Sequence, residues 1–221
     1  MTARIVELRQ GLQKKNDQLA AELRRDLTAR GVYTVNLVSS PGAGKTEFLR
    51  ATLTEVMKRG HRVAALVGDL ETDNDARRLA TSGAPVRQIL THGMCHLDAE
   101  MVRNHLDGFD LDGIEYLFIE NVGNLVCPAS YDLAEDFRVV LLSVTEGEDK
   151  PLKYPTIFNS ADLAVITKVD LAAAAEFDAV LARHNIHTIR PGIPILETSA
   201  KRGIGMEAWY RLLESRFVKE R

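Results

Sequence analysis

The stretch Ser39-Ser40-Pro41-Gly42-Ala43-Gly44-Lys45-Thr46 decides the fold of this chain. An apolar run at 32–38 precedes it and a helical pattern begins at Thr46, so a strand, a Gly-rich turn and a helix follow one another. This is the context in which a phosphate-binding loop, or P-loop, is found. The usual pattern GxxxxGK[ST] is met except at its first position, where Ser39 replaces glycine. The stretch therefore predicts a P-loop.

Each residue type in this loop has a chemical use. Gly42 and Gly44 have no Cβ, so backbone N–H groups can surround the β-phosphate at the amino end of a helix, where the partial charge is positive. We expect Lys45, in a solvent-facing loop, to reach the β- and γ-phosphates, and Thr46 to bind magnesium. A turn that only packs a helix on a strand would have no use for the Lys-Thr pair. The predicted nucleotide-binding residues of this segment are Gly42, Ala43, Gly44, Lys45, Thr46 and Glu47.

Short apolar runs alternate with longer amphipathic ones along the rest of the chain. The runs lie at 32–38, 62–67, 116–119, 139–144, 163–166 and 194–196, and a closing helix is expected near Gly205. This alternation predicts an α/β fold, a P-loop NTPase with a mostly parallel, doubly wound sheet flanked by helices. The run at 116–119 is apolar throughout, which is typical of a central strand buried on both faces.

The amino-terminal part of the chain has a different pattern. Between residues 4 and 29, apolar side chains recur at helical spacing, and Gly31 is a plausible end signal. We predict an amphipathic helix at 1–30 that packs on a P-loop GTPase domain at 31–221.

Composition excludes several classes of protein. The chain has 221 residues, of which 45% are hydrophobic, and 28 Lys and Arg against 31 Asp and Glu give a net charge of −3. With no block of positive charge, we expect no nucleic-acid partner. No apolar run approaches the roughly 18 residues that span a bilayer, so we expect no membrane association and a cytoplasmic location. Two cysteines, Cys95 and Cys127, cannot form a disulfide framework.

A base-recognition motif follows the run at 163–166. Thr167-Lys168-Val169-Asp170 matches [NT]KxD, in which the Asp170 carboxylate can accept from both N1–H and the exocyclic amine of guanine. Adenine offers neither donor there and would leave a buried charge unpaired, so the motif favours GTP over ATP. Thr167 replaces the usual asparagine, and its contacts to the purine or the P-loop are expected to be weaker. Further base contacts are predicted from Ser199, Ala200 and Lys201.

Acidic residues after two other strands complete the predicted hydrolytic site. Asp69 and Asp75 lie in one segment after the run at 62–67, and Glu120 stands where most GTPases carry the Asp of DxxG, followed by Gly123. We predict that Lys45, Asp69, Asp75 and Glu120 act in catalysis, that Thr46, Asp75 and Glu120 hold magnesium, and that Gly123 turns its N–H toward a γ-phosphate. An ion pair at a solvated helix start is the alternative for Asp75 and Arg77. No glutamine or arginine is evidently placed to orient water, so intrinsic hydrolysis should be slow.

Cys95, His96 and Cys127 form a candidate metal site. Thiolate and imidazole are the ligand types that zinc, nickel and copper prefer, and adjacent Cys and His can bind one ion only from a loop or a helix start. The alternative is that these are inert residues, since free cysteine is often simply buried. Cys127 lies four residues after Gly123, which would link metal binding to the nucleotide state. His92 and His105 are weaker candidates.

The P-loop, the run Cys95-His96-Leu97-Asp98-Ala99, the segment from Glu120 to Pro128 and Thr145-Glu146-Gly147-Glu148-Asp149 together resemble the HypB family of hydrogenase-maturation GTPases. The resemblance covers nearly the whole chain and includes the serine at 39. It implies a GTP-dependent homodimer with a nickel or zinc site at its interface, built from Cys95, His96 and Cys127. It also implies work with a HypA-type nickel chaperone on the large-subunit precursor of [NiFe]-hydrogenase.

Two departures and four alternatives bear on this resemblance. The chain begins without the cysteine motif or histidine-rich tract of some family members, so we expect no nickel storage, and Glu100 and Asn104 stand where some members have histidines. A urease-activating nickel GTPase would show Cys-Pro-His where Cys127-Pro128 is followed by Ala129; a methylmalonyl-mutase type chaperone is a related alternative. A kinase or ATPase would not need Asp170, and a zinc-stabilised structural protein would not need Lys45.

Overall fold

The computed structural model of the chain describes residues 2–69 and 74–219. Residues 70–73, in the segment between Asp69 and Asp75, lie outside the described part, as do the side chains at 2–10 and 218–219. Among the described residues, no helix combines the length and the apolar character needed to cross a membrane.

Seven parallel strands form one sheet in the order β3-β2-β4-β1-β5-β6-β7. The strands are β1 (Tyr33–Ser39), β2 (Val63–Asp69), β3 (Val86–Leu90), β4 (Tyr116–Glu120), β5 (Phe137–Ser143), β6 (Leu163–Thr167) and β7 (Ile195–Glu197). The predicted parallel sheet is confirmed. β3 was not predicted, because this edge strand is only partly buried and Arg87 and Gln88 interrupt its apolar pattern.

Helices cover both faces of the sheet. They are α1 (Thr2–Ala29), α2 (Lys45–Lys58), α3 (Asn74–Ala80), α4 (Ala99–Leu106), α5 (Lys150–Lys153), α6 (Pro155–Ser160), α7 (Ala179–Ile189) and α8 (Met206–Lys219). All of β4 is buried, and its side chains alternate between two cores. Phe118 packs in the core under α2 and α8, whereas Leu117 packs in the core under α1 and α4. The two-sided burial predicted for this strand is therefore observed.

The described part of α1 lies against the same face as α4. Its buried side chains are Asn16, Ala20, Leu23 and Leu27, which recur at helical spacing. Leu23 and Leu27 join the core that contains Leu117. The described part of α1 is thus packed on the sheet, while the division of the chain into a helix at 1–30 and a domain at 31–221 stays a prediction.

The parallel arrangement brings the carboxyl ends of the central strands to one edge of the sheet. β1 ends at Ser39, β2 at Asp69, β4 at Glu120 and β6 at Thr167. The predicted phosphate, magnesium and base motifs therefore meet at this edge.

Candidate functional site

The P-loop connects β1 to α2 through two glycines in the left-handed region of backbone space. Gly42 has φ 74° and Gly44 has φ 95°, conformations that L side chains rarely adopt. Gly44 is also the residue before the first turn of α2. The backbone N–H groups at the start of this helix thus face the edge where the strands end, as anion binding requires.

Lys45 is the first residue of α2 and is only 7% exposed, so the expectation of a solvent-facing lysine is wrong. Its Nζ donates to Ser39 Oγ over 2.9 Å, and Ser39 Oγ donates to the Ser40 carbonyl over 2.6 Å. Burial lowers the pKa of Lys45, while the carboxylates of Glu120, Asp75 and Glu146 act in the opposite direction. The serine at the first P-loop position therefore holds the lysine, a role that the sequence analysis missed.

Thr46 and Glu120 meet beside the lysine. Thr46 Oγ1 donates to Glu120 Oε1 over 2.7 Å, and Glu120 is 3% exposed. Burial raises the pKa of Glu120 to about 7, with Lys45 and the hydrogen bond from Thr46 acting against it. Glu120 Oε2 is buried without a hydrogen-bond partner among the described residues. A hydroxyl beside a carboxylate oxygen that lacks a partner is the oxygen donor set that Mg²⁺ prefers, so these residues fit that ion.

A cavity of about 500 Å³ joins these groups to two other predicted catalytic residues. Asp69 at the end of β2 and Asp75 at the start of α3 both line it. Arg78 lines it as well, one turn after Asp75, with its Nη1 3.5 Å from Asp75 Oδ1 and its Nη2 3.8 Å from Glu47 Oε2. An ion pair of Asp75 with Arg77 was the alternative from the sequence, and no arginine was expected at the phosphates. In the structure Arg78 pairs with Asp75 and lines the cavity where phosphates are expected.

Gly123 lies directly against the P-loop. A Cβ at this position would be 2.9 Å from Pro41 Cα and 3.0 Å from Pro41 N, which leaves no room for a side chain. The segment after β4 and the loop after β1 are therefore in backbone contact.

The predicted base-recognition residues form a second, smaller cavity of about 170 Å³ beside the P-loop. Asp170 lines it together with Ser199, Ala200 and Lys201. Two side chains of the motif hold the P-loop directly: Thr167 Oγ1 donates to the Ala43 carbonyl over 2.7 Å, and Lys168 Nζ donates to the Gly42 carbonyl over 2.6 Å. The contact of Thr167 with the P-loop is thus a short hydrogen bond, while the comparison with asparagine stays a prediction.

Cys95, His96 and Cys127 are brought together by the fold. One ligand atom from each lies within 4.8 Å of the others. Cys95 Sγ is 2.8 Å from Cys127 Sγ and 3.8 Å from His96 Nδ1. Burial lowers the pKa of His96, with Asp98 acting against it, which favours the neutral imidazole that binds metals. The thiols and imidazole are the donor types that nickel and zinc prefer.

Local structure positions these three residues. Cys95 and His96 lie in the loop before α4, whose N-cap Asp98 accepts from Met101 N, and Cys127 begins a 3-10 turn, Cys127–Ser130. The predicted loop or helix-start placement is therefore observed. The His96 ring stacks on Tyr131, with ring centroids 4.0 Å apart. In the described part of the chain, neither His92 nor His105 belongs to the group of three.

Two asparagines link the segment of Cys95 and His96 to the segment that lines the phosphate cavity. Asn121, next to Glu120, accepts from Leu97 N over 3.3 Å through its Oδ1. Asn124, next to Gly123, donates from Nδ2 to the Cys95 carbonyl over 3.3 Å. The segment that carries Glu120 thus holds the backbone on both sides of His96.

Comparisons with known proteins agree with this arrangement. The family described as "CobW/HypB/UreG, nucleotide-binding domain" matches residues 33–197. The hydrogenase maturation factor HypB of Rhizobium leguminosarum bv. viciae is 46% identical over 211 residues, covering 96% of this chain and 70% of that protein. HypB of Escherichia coli strain K12 is 45% identical over 212 residues, covering 96% of this chain and 73% of that protein.

A solved structure has the same fold. The crystal structure of HypB from Helicobacter pylori in complex with nickel matches with a TM-score of 0.88 at 38% identity, covering 93% of this chain and 96% of that one. The sheet order, the P-loop and these matches along nearly the whole length lead to one family. The chain belongs to the HypB family of hydrogenase maturation factors and contains its nucleotide-binding P-loop domain.

Proposed function

We propose that this protein is a GTP-hydrolysing metallochaperone that assists nickel insertion into [NiFe]-hydrogenase during its maturation. The observation that carries the proposal is the double role of the segment 120–127. At one end Glu120 bonds Thr46 and Gly123 touches Pro41, and at the other end Cys127 joins the metal group. A change at the γ-phosphate can therefore reach a thiolate through a few residues of one segment.

The residues at the phosphate cavity support hydrolysis of GTP to GDP and phosphate. Water attacks the γ-phosphorus as the bond to the β–γ bridging oxygen breaks, and GDP leaves with that oxygen. Lys45 neutralises charge on the β- and γ-phosphates, and Thr46, Asp75 and Glu120 would hold the magnesium ion, with Asp69 nearby. Magnesium, when bound, neutralises charge that develops on the transferred group. No glutamine lines this cavity among the described residues, which is in line with slow intrinsic turnover.

The second cavity supports the choice of guanine. Asp170 offers two acceptor oxygens to N1–H and the exocyclic amine, and the neighbouring Ser199, Ala200 and Lys201 supply further base contacts. An adenine ring would leave the carboxylate unsatisfied. GTP is therefore the proposed substrate.

Nickel, or zinc in its place, is the proposed cargo of the Cys/His group. One chain supplies three strong ligands, one fewer than a four-coordinate ion needs, whereas two chains related by a twofold axis supply six. This arithmetic favours a homodimer that forms under GTP and shares the metal. We propose that a HypA-type nickel chaperone and the hydrogenase large-subunit precursor are its partners in transfer.

The decisive experiment measures oligomeric state with GDP and with a non-hydrolysable GTP analogue, each with and without nickel. We expect a dimer under the analogue and a further shift toward dimer with nickel. Cys127→Ala should remove the nickel effect and keep the nucleotide effect, while Ser130→Ala, at the other end of the same turn, should keep both. One mass under all four conditions would contradict the proposal.

A further inference from the structure

Asn16 is a polar residue on the buried face of α1. It is 7% exposed and lies one helical turn before Ala20, which is fully buried. Its neighbours Lys15 and Asp17 are exposed. A buried amide is tolerated only when its donor and acceptor both find partners.

Both ends of this amide are bonded, and they are bonded to different segments. Ala99 N donates to Asn16 Oδ1 over 2.8 Å, and Asn16 Nδ2 donates to the Asp132 carbonyl over 2.9 Å. The partners are 83 and 116 residues away along the chain. One side chain therefore joins three elements.

The two segments that Asn16 joins are those that carry the metal ligands. Ala99 is the first residue of α4 and follows His96 by three positions. Asp132 follows Tyr131, whose ring stacks on His96. The turn Cys127–Ser130, which carries the other thiol, comes immediately before Tyr131. We propose that Asn16 is a positioning residue for the Cys/His metal site, where it fixes the distance between the Cys95-His96 segment and the Cys127 segment.

Other contacts of α1 support the same role from the surface. Arg24 forms an ion pair with Asp132 over 2.5 Å and donates to the Glu135 carbonyl over 3.3 Å. Lys15 reaches Glu100 over 3.2 Å, but this pair is exposed and contributes little. Of these side chains, Asn16 alone is buried and bonds both segments. A displacement of α1 would therefore reach the metal ligands through Asn16.

The test compares Asn16→Asp with a matched control, Gln18→Glu. Both convert an amide to a carboxylate on α1, but Gln18 is exposed. Asn16→Asp keeps an acceptor for Ala99 N and loses the donor to the Asp132 carbonyl. The variant therefore distinguishes a residue that must bond both segments from one that only caps α4. Nickel affinity is measured by chelator competition on the full chain, with thermal unfolding to establish the fold. We expect Asn16→Asp to weaken nickel binding about tenfold or more, as for lost outer-shell partners of metal ligands, and Gln18→Glu to leave it unchanged.

A second readout needs no metal. Phenylarsine oxide captures two neighbouring thiols, so its reaction with Cys95 and Cys127 reports their spacing directly, and we expect Asn16→Asp to lose most of the fast capture. A folded Asn16→Asp protein with unchanged nickel affinity and unchanged capture would overturn the inference. The inference rests on the proposed metal site, which fails separately if Cys95→Ala and Cys127→Ala do not alter nickel binding. In that case the reaction with phenylarsine oxide still decides whether Asn16 fixes the distance between the two cysteine segments.

Discussion

The Thr46 hydroxyl donates to a carboxylate of Glu120 that comes from a strand 74 residues further along the chain. This bond connects the start of α2 to the end of β4 inside the phosphate cavity. Burial around it raises the pKa of Glu120 to about 7, which makes the carboxyl sensitive to pH in the neutral range.

Glu120→Gln should remove a pH dependence of stability in the protein without nucleotide or magnesium. Because the folded-state pKa lies above the ordinary value of 4.5, the folded state binds this proton more tightly than the unfolded state does. The stabilisation is complete below pH 4.5 and is lost as pH rises through about 7, with a limit of about 3 kcal/mol. Urea unfolding at pH 5 and pH 8 measures it. Glu22→Gln, on the exposed face of α1, should retain the pH dependence. If the free energy of unfolding changed equally between pH 5 and pH 8 in the unsubstituted protein and both variants, Glu120 would not be the group responsible.

Asp170→Asn should weaken the preference for guanine nucleotides over adenine nucleotides. Loss of a charged acceptor for two donors costs about 1.5 to 3 kcal/mol, or roughly tenfold to 100-fold in affinity. Competition of GDP and of ADP against a fluorescent GDP analogue measures the ratio of their two affinities. Asp112→Asn, in an exposed loop, should leave it unchanged. Equal affinity of the unsubstituted protein for GTP and ATP would remove the basis for assigning guanine specificity to Asp170.

Lys45→Ala should abolish hydrolysis while the fold is retained. The lysine is buried and its pKa is lowered by burial, so the loss of its bond to Ser39 is partly offset by the loss of a desolvated charge. We expect the free energy of unfolding to change by less than about 2 kcal/mol. Single-turnover hydrolysis and circular dichroism test the two parts. Lys58→Ala, at the other end of α2, should hydrolyse GTP normally, and a grossly unfolded Lys45→Ala protein would make Lys45 a structural residue.

Arg78→Ala should lower kcat for GTP hydrolysis more than it changes KM. Its guanidinium lines the phosphate cavity, where positive charge stabilises the transferring phosphoryl group. We expect at least a roughly tenfold loss in kcat, below the full effect of an arginine finger. Arg77→Ala is the matched control, since Arg77 lies on the same helix and is not among the described residues that line the cavity. Binding of a fluorescent GTP analogue should be nearly equal in both variants, and equal kcat values would exclude Arg78 from catalysis.

Asn124→Ala should reduce the coupling between nucleotide and metal. Asn124 connects Gly123 to the Cys95 carbonyl, so its removal separates the segment that senses phosphate from the segment that holds a thiolate. Coupling between two sites is typically about 1 to 3 kcal/mol, and nickel should bind correspondingly tighter under a GTP analogue than under GDP. Nickel titrations in both nucleotide states measure it. Asn104→Ala, on the exposed side of α4, should keep the difference, and equal affinities in the unsubstituted protein would mean that the two sites are not coupled.

The sequence predicted the strands and motifs that depend on local pattern. The central strands were found because their apolar runs are continuous, and the P-loop because glycine, lysine and threonine have fixed spacing. The edge strand β3 was missed because it is only partly buried and Arg87 and Gln88 interrupt its apolar pattern. Lys45 was placed in solvent because the motif says nothing of the carboxylate that β4 brings beside it.

Residues that act through distant contacts could not be predicted. Arg78 lines the phosphate cavity only because α3 turns its side chain back toward Glu47 at the start of α2, and the sequence does not specify that direction. Asn16 is one polar residue in a long polar helix, and its partners are 83 and 116 residues away. The Cys and His ligands were predicted because their chemistry is rare, whereas asparagine is common and gave no comparable signal.

The bond between Lys45 and Ser39 has a consequence for nucleotide entry. A lysine side chain carries about 2 kcal/mol of rotamer entropy, which a freely moving lysine loses when it engages a phosphate. Here Ser39 Oγ accepts a hydrogen bond from the ammonium, which restricts the side chain independently of any phosphate. The strict motif, with glycine at this position, has no hydroxyl to do so. Serine at the first P-loop position therefore lowers the entropy that the lysine loses on binding a phosphate, because the ammonium exchanges one partner for another.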